Sequence, residues 1–84
     1  MKKNIHNVVS DVEANITANH FPVKGHVGET VEGWINVEFK NDNQDILQFE
    51  VHLEHETSCV LIHRGFTKDQ RDAIMEVFTT LMFA

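Results

Sequence analysis

The sequence predicts an α+β fold: an antiparallel three- to four-stranded meander with a C-terminal α-helix packed on one face. Three observations predict it, namely two segments in which apolar and polar residues alternate, a polar turn between them, and a helix signature near the C-terminus. A chain of 84 residues forms one small domain. We therefore assign residues 1–84 to a single domain. Within it, residues 1–11 are a candidate for a flexible N-terminal segment.

The first twenty residues fit two patterns. Helical spacing joins Ile5, Val8, Val9, Val12 and Ile16, and Ser10 with Glu13 has the form of a capping box. Against a helix, apolar and polar residues also alternate from Val12 to Asn19. Asn and β-branched residues, which are frequent here, are weak helix formers. We favour a strand over residues 12–21, with the helix as the alternative.

The middle of the chain predicts two paired strands, residues 31–40 and 46–56, joined by the polar turn 41–45. Apolar side chains alternate with polar ones in both, which is typical of strands with one buried face. Pairing Phe39 with Leu47 buries both apolar sets. The same register places three pairs on the outer face: Trp34 with His52, Asn36 with Glu50, and Glu32 with Glu54.

A further strand is predicted over residues 59–64, after a two-residue turn at Thr57 and Ser58. In that register Glu56 faces Cys59, and His52 faces His63. This strand carries apolar residues on both sides, which indicates that its outer side is partly covered or contacts another molecule.

The C-terminal segment predicts a helix over residues 68–82. Thr67 and Gln70 form a capping box, and Asp69 lies in the first turn, where the helix dipole favours a negative charge. Apolar residues follow at helical spacing. The predicted core of the domain is Val31, Ile35, Val37, Phe39, Leu47, Phe49, Val51, Leu53, Ile62, Ile74, Phe78 and Leu81.

Composition narrows the function classes. Thirteen acidic and seven basic residues give a formal charge of −6, which disfavours direct nucleic acid binding because no basic surface offsets phosphate repulsion. The apolar runs are too short for a membrane-spanning helix, and the opening residues lack the apolar region of a signal peptide. The single cysteine, Cys59, fits a reducing compartment. We expect a cytoplasmic protein without membrane association.

The predicted outer sheet face is the candidate site, and three interpretations compete for it. The first is a partner-binding surface with the sole tryptophan as its anchor, although large aromatic residues are commonly buried. The second is a divalent-metal site formed by His52, His63 and Glu54. The third, catalysis, is disfavoured because a flat sheet face offers no cleft for tuning pKa values. The partner-binding residues are predicted to be Trp34, Glu32, Asn36, Glu38, Glu50, His52, Glu54 and His63.

The sequence therefore favours a small acidic, non-catalytic protein-binding module without a cofactor. We expect an inhibitor or adaptor, of a kind encoded by phages or mobile elements, that occludes a basic protein which handles nucleic acid. The alternative is a homo-oligomeric structural or regulatory protein. Its dimer would form through the apolar C-terminal residues Leu81, Met82 and Phe83, and the metal-binding domain is the less favoured option.

Overall fold

The chain folds in the order helix, four strands, helix. The computed structural model describes residues 4–83. Their elements are α1 (Ile5–Asn19), β1 (Lys24–Val31), β2 (Trp34–Lys40), β3 (Ile46–His52), β4 (Thr57–Ile62) and α2 (Lys68–Phe83). The strands form one antiparallel sheet in the order β1-β2-β3-β4. The α+β prediction, with its meander and C-terminal helix, is confirmed.

Both helices cover the same face of this sheet. Phe78 of α2 packs edge-on against Phe49 of β3, with ring centroids 5.0 Å apart, and Val9 of α1 lies against Gly25 of β1. The sheet face that packs against the helices is apolar because the odd-numbered side chains of β2 and β3 point toward the helices. The buried core is Ile5, Val8, Val9, Val12, Ile16, Val23, Val37, Phe39, Leu47, Phe49, Val51, Phe66, Ile74 and Phe78.

The predicted strand over residues 12–21 is wrong, because these residues lie mostly in α1. The helix begins after Asn4, whose side-chain oxygen accepts a hydrogen bond from the His6 N–H at 2.8 Å. The stripe from Ile5 to Ile16 is buried against the rest of the core. Burial of an amphipathic face outweighs the weak helix propensity of the Asn and β-branched residues. Residues 5–11 belong to this helix, and residues 1–3 lie outside the described part.

Residues 31–40 do not form one strand, because the chain reverses at Glu32 and Gly33. These residues have φ values of 52° and 86°, as a two-residue type I′ turn requires. The reversal creates β1, a strand that the sequence patterns did not predict, and it places Val31 opposite Trp34. Val31 is 60% exposed, so its assignment to the core is wrong.

The pairing of β2 with β3 is confirmed. Trp34 lies opposite His52, Asn36 opposite Glu50, and Phe39 opposite Leu47. The predicted Glu32–Glu54 pair is wrong, since both residues lie in turns outside the ladder.

The pairing of β3 with β4 differs from the prediction. A turn over residues 53–56 replaces the predicted turn at 57–58, so His52 lies opposite Thr57 rather than His63. Glu56 completes that turn with a φ of 51°, and it does not face Cys59, which pairs with Glu50.

A bulge near the end of β4 then shifts the register. Phe49 pairs with Val60, but Gln48 pairs with Ile62, so Leu61 is the extra residue. Ile62 is 41% exposed, and its predicted place in the core is wrong. The other predicted core residues are buried or pack partly buried against the core.

Helix α2 agrees with its prediction to within one residue. The Thr67 hydroxyl accepts from the Gln70 N–H at 3.2 Å, and the Gln70 side chain accepts from the Thr67 N–H at 2.9 Å. The capping box is therefore confirmed. Leu81, Met82 and Phe83 of the last turn pack partly buried against the core. Much of the apolar surface expected to form a dimer interface is thus used within the chain.

Candidate functional site

The sheet face that carries Trp34 lies opposite α1 and α2, and we call it the open face. Cross-strand partners point to the same side of a sheet, so the register assigns residues to this face. Trp34, Asn36 and Glu38 of β2 share it with His52, Glu50 and Gln48 of β3. On the outer strands it carries His26, Val31, Cys59 and Ile62.

Trp34 packs against His52 across the β2–β3 ladder. Their ring centroids are 5.2 Å apart and the rings are nearly perpendicular, at 77°, an arrangement that aromatic pairs favour. Trp34 is neither sealed in the core nor fully exposed. The sequence allowed either an exposed anchor or a buried core residue, and the structure lies between them: one part of the indole is supported and the rest faces solvent.

His52 is held by the turn that comes after it. Its Nδ1 accepts a hydrogen bond from the His55 N–H at 3.3 Å, and the two rings lie 4.2 Å apart at 35°. On the other side, a Cβ atom at Gly33 would lie 2.6 Å from His52 Nε2. The β1–β2 turn therefore needs glycine both for its φ value and for its close approach to His52. Sequence reasoning missed the contribution of His55 because it placed that residue in a strand.

The centre of the open face is polar. Gln48 donates from Nε2 to Asn36 Oδ1 at 3.0 Å, and Glu38 forms an ion pair with Lys40 at 3.3 Å. Asn36, Glu38 and Gln48 are partly buried, whereas Lys40 is exposed. Glu50 lies beside them on the ladder. The side-chain hydrogen bond orders this part of the face, which is a property of surfaces preorganised for binding.

Four carboxylates lie at the end of the sheet nearest Trp34. In a meander, the β1–β2 and β3–β4 turns lie at the same end, so Glu32 of the first turn lies near Glu54 and Glu56 of the second. Glu29, close to the end of β1, adds a fourth, and all four residues are exposed. We call this group the acidic end. Glu32 and Glu54 thus lie next to the Trp34–His52 pair, although they do not pair with each other.

His63 lies apart from this cluster. Its Nδ1 is 3.0 Å from Nη1 of Arg71 in α2, and it lies beyond the end of β4 instead of facing His52. The register that would have brought His52, His63 and Glu54 together as a metal site is therefore not the one that the sheet adopts. Within residues 4–83, no group of three or more His, Cys, Asp or Glu side chains is placed to hold a metal ion.

A shallow cavity of about 290 Å³ lies at the opposite end of the molecule, beside the β2–β3 turn. Its lining is Phe21, Pro22, Asn41, Asp42, Asn43 and Gln70. The side chain of Asn41 organises that turn, since its oxygen accepts from the Asn43 and Asp45 N–H groups at 2.9 and 3.0 Å. None of the predicted binding residues contributes to this cavity.

Comparison with known proteins gives no match to a family model, a curated protein or a solved structure. Neither helix within residues 4–83 is long and apolar enough to cross a membrane.

Proposed function

We propose that this protein is a small, acidic, non-catalytic binding module that occludes a basic protein partner with its open face. The observation that carries the proposal is the supported indole of Trp34 on a sheet face that neither helix covers, beside the exposed carboxylates of Glu32 and Glu54. An apolar anchor with charged neighbours matches the usual anatomy of protein interfaces, in which an aromatic core is surrounded by a polar rim.

The acidic end and Trp34 contribute to binding in different ways. Carboxylates at the acidic end accelerate the encounter with a positively charged surface, an effect that salt screens. Trp34 supplies apolar contact area that slows dissociation. Because His52 already restricts the indole, little side-chain entropy remains to be lost on binding.

The partner class follows from charge. With a formal charge of −6, the chain is repelled by phosphate and attracted to proteins that are themselves basic, among them proteins that handle nucleic acid. Asn36, Glu38 and Glu50 extend the contact surface along the ladder, and His52 supports Trp34. His63 lies beside Arg71 and is not part of this surface. We propose that the protein is an inhibitor or adaptor, because a small domain that acts by occlusion needs no catalytic site. The proposed origin is a phage or mobile element.

Affinity capture from the native cell, followed by titration of the purified partner, tests this proposal. Trp34→Ala should abolish capture, and binding of the wild-type protein should weaken steeply between low and high salt. Trp34 is the only tryptophan, so its fluorescence reports directly on contact in the titration. A partner that binds the Trp34→Ala variant as tightly as the wild type would refute the assignment of the anchor.

A charge-matched pair of variants separates the acidic end from net charge. Glu32→Gln with Glu54→Gln removes two carboxylates beside Trp34, whereas Asp11→Asn with Glu76→Gln removes two exposed carboxylates from the helices. The first pair should lower the association rate and its salt dependence, and the second should change both less. Equal effects would show that only the total charge matters. The Trp34→Ala protein must also stay folded, since a loss of about 3 kcal/mol or more would place the indole in the core.

A further inference from the structure

The outer edge of β4 is the least protected part of the sheet. We propose that a second copy of this chain pairs with it, β4 against β4 in antiparallel orientation, with the two-fold axis passing beside Cys59. The two four-stranded sheets would then form one continuous sheet of eight strands. This pairing involves a sheet edge, does not rest on the proposed function, and is tested separately from it.

The two edge strands, β1 and β4, differ in how well they are protected against pairing with another strand. On β1, the Glu13 carboxylate accepts a hydrogen bond from the Gly25 N–H at 2.7 Å, and the strand carries a bulge and the charged residues Lys24 and Glu29. Such features prevent edge-to-edge pairing. β4 has a bulge at Leu61, but from Thr57 to Ile62 it contains no proline and no acidic or basic residue. Three of its residues, Val60, Leu61 and Ile62, are 41–46% exposed.

The ladder shows which backbone groups of β4 face outward. The Asn41 N–H donates to the Asp45 carbonyl, and hydrogen-bonded pairs recur at every second position. Odd-numbered residues of β3 therefore bond to β2 and even-numbered ones to β4, as the bond from the Ile46 N–H to the Arg64 carbonyl shows. Ser58 and Val60 lie opposite odd-numbered residues. Their N–H and C=O groups consequently point to the free edge.

One register uses these groups fully. If Ser58 of one copy lies opposite Val60 of the other, both residues exchange both hydrogen bonds, and the symmetry repeats the pair. Ser58 and Val60 both lie on the helix-covered side of β4, so the two side chains share a face. Pairing Ser58 with itself would instead place Val60 opposite Glu56, outside the strand. Pairing Val60 with itself would place Ser58 opposite Ile62, whose backbone groups bond to Gln48 of β3 and do not point to the free edge.

Charge complementarity favours a second copy as the occupant. The segment running from Glu56 to Arg64 begins with an acid and ends with His63 and Arg64, and it is uncharged between them. Antiparallel pairing brings Glu56 of one copy to His63 and Arg64 of the other, at both ends of the ladder. The neutral strand also lets two chains of charge −6 approach where repulsion is smallest. Pairing would cover the exposed faces of Val60 and Ile62.

The first experiment measures association under reducing conditions by sedimentation equilibrium over a range of protein concentrations. We expect a monomer–dimer equilibrium that Val60→Lys shifts at least tenfold toward monomer, because it would place two ammonium-bearing stems about 7–8 Å apart on one face. Val31→Lys is the matched control, since Val31 is also an exposed valine at a strand edge. It should leave the dissociation constant within about twofold, and circular dichroism should show both variants folded.

The second experiment reads the register through the thiol. In the proposed pairing, Cys59 faces its own copy in a non-hydrogen-bonded pair, where Cα atoms lie about 4.5 Å apart, within the range that a disulfide spans. Diamide, which accepts the two electrons and two protons, should therefore link the wild-type dimer. Moving the thiol by Thr57→Cys with Cys59→Ser keeps it on the same face but separates the two sulfurs by roughly four residues, about 13 Å. That variant should associate but not cross-link.

A concentration-dependent dimer that Val60→Lys weakens and that cross-links only through position 59 supports the proposal. A monomer at every concentration overturns it. So does a dimer that Val60→Lys leaves intact, or one that cross-links equally well through position 57, because either result places the interface elsewhere or in another register. Should Val60→Lys fail to fold, the cross-linking pair alone decides.

Discussion

Gly25→Ala should destabilise the protein, whereas Gly28→Ala, three residues along the same strand, should not. The two substitutions add the same methyl group to β1, but the atoms that would surround this methyl group differ between the two positions. A Cβ atom at Gly25 would lie 2.6 Å from Val9 Cγ1 and 2.7 Å from Phe39 Cε1. At Gly28 the nearest atom, Asn36 Cβ, would be 3.4 Å away.

These contacts set the magnitudes. Val9 and Phe39 are buried, so neither can move aside without displacing its neighbours in a packed core. Overpacking of this kind costs about 1–3 kcal/mol. Gly28 has room for a methyl group, and restricting the unfolded chain there should stabilise the fold by about 0.4–1 kcal/mol. Restriction of the unfolded chain is common to both substitutions, so the difference in stability between the two variants should be about 1–3 kcal/mol, which is the cost of overpacking at Gly25.

Urea unfolding followed by far-ultraviolet circular dichroism measures this difference. Equal slopes against urea concentration would assign the change to stability instead of the denatured state. In a domain of this size each kcal/mol shifts Tm by about 4–8 °C, so a thermal scan gives a second reading. If both variants had the same stability, α1 would not approach β1 as closely as the contact between Val9 and Gly25 requires.

Three further predictions concern the helices. Ile16→Ala should cost about 2–5 kcal/mol, measured by urea unfolding, because Ile16 is fully buried in α1; a loss below about 1 kcal/mol would contradict that burial. Thr67→Ala should cost about 0.5–2 kcal/mol, measured in the same way, because it removes the hydroxyl that accepts from the Gln70 N–H; an unchanged stability would show that the cap is dispensable. Asp72 raises the pKa of the Lys68 ammonium above its usual value, mainly through their hydrogen bond. That contribution is present below the unfolded-state pKa and is lost as pH rises through the folded one, so an NMR titration should show a lower Lys68 pKa in Asp72→Asn, and no change would contradict the ion pair.

Part of the candidate site can be predicted from sequence because the β2–β3 hairpin is determined locally. One buried face requires one register, and a slip by one residue would expose Phe39 and Leu47. The opposition of Trp34 to His52 is a consequence of that constraint. Where the same reasoning crossed a turn of unknown length it was wrong, since His63 was placed beside His52 and instead lies beside Arg71.

The errors at Val31 and Ile62 have a related origin. Each strand at the edge of the sheet contains a bulge, which adds one residue and reverses the face of the residues beyond it. Val31 reaches the open face because the turn at Glu32 and Gly33 pairs it with Trp34, and Ile62 does so because it lies beyond the bulge of β4. A pattern with a period of two carries no record of such an insertion.

The amino-acid sequence by itself determined the fold class, the capped C-terminal helix and the faces of the two central strands. These features depend on short-range periodicity and on local hydrogen bonds, such as those between Thr67 and Gln70. Tertiary structure decided whether the N-terminal segment is helix or strand, because local propensity was divided and only burial of its stripe against α2 and β1 selects the helix. It also decided the faces of the outer strands. Each outer strand pairs on one side only, and its face depends on the turns and on the bulges in β1 and β4, which the alternation of the sequence does not reveal.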